Sequence, residues 1–223
     1  MTTPPAVEAR DIFRTFEIGD NRIEVLKGVS LSADSGEKLF LVGPSGAGKT
    51  SLLYTLAGLE KPNKGEVVIN GKALYRQSRY AQARTRNTTM GYVFQNFFLM
   101  PELTALENVL VPAMIRGRRA TERARDLLDR VGLSERANHL PPELSGGEQQ
   151  RVAIARSLIN DPEIIFADEP TGNLDTKTGD AVMELLMELV DETERTLIVV
   201  THDQRVAQAG ERTVTLVDGH IVD

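Results

Sequence analysis

The sequence predicts an α/β fold with a mostly parallel sheet, an antiparallel β part and an inserted helical subdomain. Short apolar runs, KLFLV (38–42), EIIFAD (163–168) and TLIVVTHD (196–203), alternate with helical stretches. Continuous apolar runs of this kind are typical of parallel strands that helices cover on both faces. The stretch from 97 to 160 instead carries its apolar residues at helical spacing. We therefore expect a helical block inserted into an α/β core.

The elements are predicted in chain order from local signals. KLFLV leads into a Gly-rich loop and a helix from Lys49 to about Ala57, GEVVING (65–71) predicts a strand and turn, and GYVFQ (91–95) predicts another strand. Three segments predict the helices of the middle block: ALENVLVPAMI, TERARDLLDRVGL and EQQRVAIARSLI. TKTGDAVMELLMELVDET then predicts an amphipathic helix, and RTVTLVDGHIVD a hairpin that turns at Asp218-Gly219.

The length of 223 residues fits a single domain with an insertion. We expect the core to comprise 1–95 and 161–223, and the helical subdomain to comprise 96–160. The net charge of −6 argues against a nucleic-acid partner, which requires a basic face. The chain has no cysteine and therefore no disulfide framework, and its N-terminus does not resemble a signal peptide. The apolar runs are far shorter than the roughly 20 residues of a membrane span, so a membrane role requires docking to another chain.

A phosphate-binding loop is the strongest motif. GPSGAGKT matches G-x-x-x-x-G-K-[ST] between a predicted strand and helix, as a P-loop NTPase requires. Glycines there let backbone N–H groups surround phosphate oxygens, Lys49 reaches the β- and γ-phosphates, and the Thr50 hydroxyl binds Mg²⁺. The nucleotide-binding residues are predicted to be Gly43, Pro44, Ser45, Gly46, Ala47, Gly48, Lys49, Thr50 and Ser51.

Polar residues follow three other predicted strands, at the sheet edge where α/β proteins bind ligands. Asp168 ends an apolar strand and suits Mg²⁺ binding, and Glu169 is placed to activate the attacking water. His202 and Gln95 follow two further strands. The alternative interpretations are a loop cap before Pro170 for the acidic pair, and an ordinary hydrogen-bonded loop residue for His202.

The stretch SGGE (145–148) places two glycines at the start of a helix. Ser145 and Glu148 fit a capping box, in which they satisfy free backbone donors. That interpretation leaves Gly146 and Gly147 unexplained, and glycine is useful where a backbone approaches a ligand closely. The helix start is therefore predicted to be a second anion site. Since one phosphate loop already serves one nucleotide, the second site implies a dimer.

Taken in order, GPSGAGKT, the Gln95 loop, LSGGEQQ, IIFADE, NLD (173–175) and His202 resemble the ATP-binding subunits of ABC transporters. The resemblance implies that two subunits pack head to tail around two ATP molecules, each held by one phosphate loop and by Ser145 with Gly147 of the other subunit. It also makes Glu169 the catalytic base, His202 the γ-phosphate contact and Asp175 a residue of the dimer seam.

The resemblance further implies that Gln95 contacts Mg²⁺ or the water and senses the membrane partner, so the predicted Mg²⁺ ligands are Thr50, Gln95 and Asp168. Phe16 is the candidate for stacking on adenine, although a core or edge phenylalanine is the alternative. The segment from about Asn96 to Arg116, with its apolar FFLMPEL, is the expected docking surface for a permease, against the alternative of ordinary core packing.

Within the family, RANHLPPELSGGE and EPTGNLD are most similar to the lipoprotein-releasing group. The resemblance implies a peripheral homodimer at the cytoplasmic face of the inner membrane, bound to a permease with a large periplasmic part. Macrolide or antimicrobial-peptide export and a cell-division ATPase are the near alternatives. A soluble ABC protein acting on DNA or ribosomes would need a long insert or a second ATPase domain. A small-molecule kinase would leave the signature helix, which is the helix that begins at LSGGEQQ (144–150), unexplained.

Overall fold

The computed structural model describes residues 4–19 and 21–222. The chain forms two compact units. The first unit runs to Arg86 and resumes at Glu194, and the second extends from Asn87 to Thr193.

The first unit contains an antiparallel sheet. Its strands are β1 (Val7–Ile18), β2 (Asn21–Ala33), β4 (Lys64–Ile69) and β5 (Lys72–Ala73), in the order β2-β1-β4-β5. The strand and turn predicted at GEVVING are confirmed, with Asn70 and Gly71 both at positive φ in the turn. The long strands β1 and β2 were not predicted, because charged residues interrupt their apolar alternation and register shifts break their pairing.

The same unit contains a largely parallel group of strands. They are β3 (Lys38–Val42), β8 (Thr196–Val200), β9 (Arg212–Val217) and β10 (His220–Val222). Strand β3 pairs in parallel with both β8 and β9, and β9 forms an antiparallel hairpin with β10. Leu39, Phe40 and Leu41 are fully buried, so the apolar runs are parallel core strands as predicted. Helices α1 (Lys49–Leu56) and α7 (Gln204–Ala207) also belong to this unit.

The second unit is mainly helical. Strands β6 (Met90–Phe94) and β7 (Ile164–Asp168) pair in parallel. Its helices are α3 (Ala105–Ile115), α4 (Thr121–Arg130), α5 (Gly146–Leu158) and α6 (Thr176–Asp191). Helices α3, α4 and α5 pack against one another, and all four predicted helices are confirmed.

The compact units do not coincide with the subdomain boundaries expected at 95/96 and 160/161. Strand β6 packs against α5 and pairs with β7, so both strands belong to the helical unit. The boundary at Arg86 falls within helix α2 (Arg79–Thr89), which was not predicted because its sequence is polar throughout and buries no residue. The subdomain division at 96–160 stays a prediction about the family architecture.

Candidate active site

The phosphate loop joins β3 to α1, in the strand-loop-helix context that the motif requires. Gly43, Gly46 and Gly48 all have positive φ, at 146°, 79° and 100°. A Cβ on Gly43 would lie 2.0 Å from the Leu216 carbonyl oxygen, so this glycine is required by close packing against β9. Gly46 has no heavy atom within 4 Å of such a Cβ, so its side faces open space.

This loop fits a group of phosphates. No hydrogen bond recorded in the described part of the chain uses the N–H of Gly46 or Gly48. Lys49 is buried, and its Nζ donates to the carbonyls of Gly43 and Pro44, at 2.9 Å each. Its ammonium is therefore held inside the loop, where an anion would meet both the charge and the backbone donors. Thr50 is exposed at the start of α1.

The hairpin of β9 and β10 packs against the phosphate loop and supports it. The N–H of Gly219, in the turn between β9 and β10, donates to the Ala47 carbonyl at 3.2 Å. The Gly219 carbonyl in turn accepts from the N–H of Lys27 at 3.0 Å. With the close approach of Gly43 to Leu216, these contacts fix the loop at two points.

Two other predicted residues lie in the first unit. His202 follows β8, whose register with β3 pairs Leu41 with Val200, so that the ends of the two strands lie side by side. The histidine is thereby brought to the same sheet edge as the phosphate loop, and it is exposed. Phe16 is half-buried on β1, and the Arg14 guanidinium lies 4.4 Å from its ring centroid. The Arg14 guanidinium therefore covers one face of the ring on which adenine is predicted to stack.

In the second unit, the strand register brings Gln95, Asp168 and Glu169 together. Phe94 pairs with Asp168, so Gln95 and Glu169 each follow directly after paired residues. Asp168 is buried and Glu169 is half-buried. A Cβ on Gly172 would lie 2.7 Å from Gln95 Nε2 and 3.2 Å from Glu169 Oε2, so both side chains border the same small space. The predicted acidic and amide residues therefore form one group.

Asn173 is a site residue that the sequence did not reveal. Its Nδ2 donates to the Gln95 carbonyl at 3.0 Å and to Asn96 Oδ1 at 2.9 Å, and its Oδ1 accepts from Gln95 Nε2 at 3.2 Å. Both ends of the Asn173 amide thus orient Gln95. The only available signal was its place in NLD beside Asp175, and the 78-residue separation from Gln95 hid the contact.

The capping box at the start of α5 is confirmed. The Ser145 hydroxyl accepts from the N–H of Glu148 at 3.3 Å, and Glu148 Oε2 accepts from the N–H and hydroxyl of Ser145 at 2.8 Å each. These bonds to Ser145 lower the pKa of Glu148 below its usual range. The arrangement leaves Ser145 exposed at a helix N-terminus, where the dipole favours an anion.

One argument for the second anion site needs correction, because packing alone accounts for Gly147. A Cβ on Gly147 would lie 2.5 Å from Thr178 Cγ2 on α6, so a side chain there would collide with the neighbouring helix. Gly146 is less constrained: its Cβ would lie 3.2 Å from Leu174 Cδ2. The glycines therefore do not by themselves indicate a ligand.

Asp175 is the N-cap of α6. Its carboxylate accepts from the N–H of Thr178 at 3.1 Å, and these hydrogen bonds with Thr178 lower the pKa of Asp175. The side chain is exposed, and its predicted place at a dimer seam stays a prediction.

Arg156 is a second residue that the sequence did not reveal. Phe97 and Phe98, just after Gln95, have φ of 58° and 47°, a conformation that bulky residues rarely adopt. The guanidinium of Arg156, on α5, donates to both of their carbonyls. Burial lowers the pKa of Arg156 to about 10, so the side chain is charged at neutral pH. The signature helix thereby holds the loop that follows Gln95.

That loop exposes apolar side chains. Phe98 is 59% exposed and Met100 is 49% exposed, so ordinary core packing does not account for them. Asn108 is fully buried on α3 and holds the loop from below, donating to the carbonyls of Met100, Leu103 and Thr104.

The described residues contain no cluster of three or more acidic or histidine side chains that could hold a metal by themselves. The predicted ligands Thr50, Gln95 and Asp168 offer one carboxylate together with a hydroxyl and an amide. Mg²⁺ accepts such groups, because it binds one or two carboxylates and completes its shell with waters and substrate phosphates. That these three residues share one ion stays a prediction.

None of the helices in residues 4–19 and 21–222 combines the length and the apolar character that crossing a membrane requires.

Comparisons with known proteins agree over almost the whole chain. A family model described as ABC transporter matches residues 26–172. The lipoprotein-releasing system ATP-binding protein LolD of Shewanella oneidensis is 46% identical over 218 residues, 96% of this chain and 95% of that one. LolD of Syntrophus aciditrophicus is 48% identical over 219 residues, 97% and 98% of the two chains.

The solved structures point the same way. A dimeric ATP-binding cassette in a post-hydrolysis state, bound to ADP and Pi, matches with a TM-score of 0.90 and 42% identity over 97% of each chain. The chain therefore combines these relatives' similarity over nearly its whole length with three local features. They are the phosphate loop, the capped signature helix and the carboxylates at the strand end. The chain belongs to the ABC transporter family and is one of its ATPase cassettes.

Proposed function

We propose that this cassette is the ATPase subunit of a lipoprotein-releasing transporter, bound to a permease at the cytoplasmic face of the inner membrane. The observation that carries the proposal is the near-complete coverage of relatives named as lipoprotein-releasing ATP-binding proteins. The cassette supplies the motor, and hydrolysis in it would drive a permease that releases lipoproteins from the membrane.

The phosphate loop binds the nucleotide in this proposal. Lys49, which donates to the Gly43 and Pro44 carbonyls, turns its ammonium to the β- and γ-phosphates when ATP is present. Mg²⁺ would be held by Thr50, Asp168 and Gln95, and it would neutralise charge on the phosphates. Glu169 accepts the proton of the attacking water, and His202 donates to the γ-phosphate.

The second half of each site comes from a second copy of the chain. Ser145 and Gly147 of one copy face the γ-phosphate bound by the other, with the positive end of α5 behind them. The Ser145 hydroxyl, which donates to Glu148 at 2.8 Å, exchanges that acceptor for a phosphate oxygen. Asp175 lies at the seam between the copies. A dimeric relative bound to ADP and Pi supports this arrangement.

The permease binds at the loop after Gln95. Its exposed Phe98 and Met100 offer an apolar contact, and Asn173 ties the Gln95 backbone to the residues that follow Glu169. Docking of a partner would thereby be transmitted to the group that handles water and Mg²⁺.

The decisive experiment is to purify tagged Glu169→Gln protein with MgATP from detergent-solubilised native membranes and to identify what copurifies. A permease with a large periplasmic part that binds lipoproteins supports the proposal. A permease whose periplasmic part binds macrolides or peptides would show that the transporter exports those compounds instead of lipoproteins. A cell-division complex would show that the cassette serves cell division. Recovery of ribosomes or DNA would overturn the proposed role in transport, but the assignment as an ATPase would stand. The same purification without nucleotide is the control.

A further inference from the structure

The end of α3 and its connection to α4 carry a surface that the ATPase machinery does not use, and its first three residues close the segment from about Asn96 to Arg116 that was predicted to dock a permease. Met114 and Ile115 end α3, and Arg116, Arg118 and Arg119 follow; we call these five residues the basic-apolar surface. Met114 is 65% exposed and Ile115 is 73% exposed, and the three arginines are exposed as well. Two large apolar side chains in water at a helix end are not explained by packing.

The positive charge of this surface is not neutralised. The neighbouring Arg123 and Arg125 form ion pairs with Asp161 and Glu122. Within the described part of the chain, no ion pair is recorded for the three arginines of the basic-apolar surface. The chain as a whole has a net charge of −6, so this local charge runs against the overall balance. A local positive potential of this kind attracts anionic groups.

A cavity of about 450 Å³ adjoins the surface. Arg118, Arg119 and Arg123 line it together with Glu122 and the buried Ile159 and Asn160, so three basic side chains face one carboxylate. Helix α4 starts beside it with no side-chain cap, and Glu122 in its first turn offsets the positive helix end, so the positive potential comes from the arginines. The cavity is large enough for a phosphate-bearing headgroup.

We infer that the basic-apolar surface docks on a membrane leaflet containing anionic phospholipids. The arginines bind headgroup phosphates, one of them within the cavity, and Met114 and Ile115 enter the boundary between headgroups and acyl chains. Apolar side chains flanked by arginines are the arrangement that binds such interfaces. A lipid surface fits better than a protein partner because the two apolar side chains are exposed at a helix end directly beside three exposed arginines.

The inference rests on the proposed function, which brings the chain to a membrane. The docking would fix the orientation of the cassette beneath its permease. It uses none of the residues assigned to nucleotide binding or catalysis, so ATP turnover of the isolated chain should not depend on it.

The test is co-sedimentation of the full chain with vesicles at low ionic strength. We expect binding to vesicles of equal parts phosphatidylglycerol and phosphatidylcholine, and none to pure phosphatidylcholine. Arg118→Gln/Arg119→Gln should weaken binding at least ten-fold, since each arginine near an anionic surface contributes about five-fold. Arg10→Gln/Arg22→Gln removes the same charge from exposed strand positions and should change binding less than two-fold.

Equal binding of both double variants, or equal binding to both vesicles, would overturn the inference. A third result would also overturn it: the unmodified chain does not bind vesicles, and Arg118→Gln/Arg119→Gln no longer copurifies with the permease. The surface would then bind a protein and not a lipid. If vesicle binding behaves as expected and Glu169→Gln recovers no permease, the docking stands and the proposed function fails.

Discussion

Glu169 shows at the scale of one residue how the site departs from relaxed geometry. Its φ is 43°, a region in which non-glycine residues cost of the order of 1–3 kcal/mol. The conformation is held by the turn that follows, where the N–H of Gly172 donates to the Glu169 carbonyl at 3.0 Å. The carboxylate is thereby aimed beside Gln95 instead of continuing the direction of β7.

Glu169→Gln should abolish turnover, lowering it about a hundred-fold or more, because the amide cannot accept the proton of the attacking water. ATP binding should be retained, and light scattering with saturating MgATP should show a dimer. Glu163→Gln, an exposed position just before β7, is the matched control and should behave as the unmodified chain. A mutant that stays active, or stays monomeric at high protein concentration, would contradict the assigned role.

Gly147→Ala should destabilise the nucleotide-free chain by about 1 kcal/mol, as measured by urea unfolding. Alanine normally stabilises a helix by about 1 kcal/mol relative to glycine, but overpacking costs about 1–3 kcal/mol. The collision is with Thr178 Cγ2, and the next atom, Thr178 Cβ, lies at 4.0 Å. In a Thr178→Ser background, Gly147→Ala should therefore be neutral or stabilising. A loss of stability that persists in that background would rule out the steric explanation.

Residue types and spacing were enough to predict the phosphate loop, the acidic pair and the capping box, because each is local in sequence. Asn173 and Arg156 could not be found in this way. Asn173 contacts Gln95 from 78 residues away and Arg156 contacts Phe98 from 58 residues away, so their roles depend on packing. The packing role of Gly147 was missed for the same reason.

Helix α5 acts as an element that joins two functional regions. It begins at the capped Ser145, and about three turns later its Arg156 holds Phe97 and Phe98 in their left-handed conformation. A displacement of the helix start would therefore also move the loop after Gln95, since Arg156 attaches that loop to the same helix.

Arg156→Ala should lower the free energy of unfolding by about 3 kcal/mol, because two carbonyls lose hydrogen bonds to a charged donor. Hydrogen exchange in residues 97–100 should rise, and Arg156→Lys should recover part of the loss. Arg125→Ala, which removes an exposed ion pair on α4, should change stability by less than about 0.5 kcal/mol. Unchanged exchange in the loop of Arg156→Ala would show that the loop conformation does not depend on the arginine.

Three helices share an acid-sensitive start. Glu107, Glu148 and Asp175 lie at the N-termini of α3, α5 and α6, and local hydrogen bonds lower the pKa of each. Because the pKa is lower in the folded chain, the stabilisation is complete above the ordinary carboxyl pKa and is lost as the pH falls through the folded value.

Helicity measured by circular dichroism should accordingly fall as the pH is lowered below the ordinary glutamate pKa of 4.5. Glu148→Gln should show a shallower acid transition, because one of the three groups no longer titrates. Glu163→Gln, outside any helix start, should leave the transition unchanged. An identical acid transition in Glu148→Gln would contradict the assignment.

At the scale of the whole molecule, the cassette supplies one half of each composite site in the proposed dimer. Length, apolar runs and motif order were sufficient to predict the α/β class and five helices, α1 and α3 to α6. They were not sufficient for the polar helix α2, for the bulged strands β1 and β2, or for the grouping of β6 and β7 with the helices. Those features depend on strand pairing and on burial that alternation alone does not reveal.

Ser145→Arg should block turnover at saturating MgATP while each monomer still binds ATP through its own phosphate loop. The bulky cation would occupy the space that a second copy's nucleotide needs. Because the substitution also removes an N-cap, Ser145→Ala should be compared and should cost about 1 kcal/mol of stability. Ser35→Arg, at an exposed position before β3, is the control for added charge. Loss of ATP binding by monomeric Ser145→Arg would contradict the proposal that Ser145 contacts only the nucleotide bound by the other copy.

The support that the hairpin gives to the phosphate loop has a consequence for biogenesis. Gly43 packs on Leu216, and Gly219 donates to Ala47, so the strands that support the loop are synthesised about 170 residues after it. A nascent chain that has emerged only as far as α6 contains every residue of the phosphate loop but none of this support. We therefore expect a nascent chain to bind nucleotide firmly only after β9 and β10 have been synthesised.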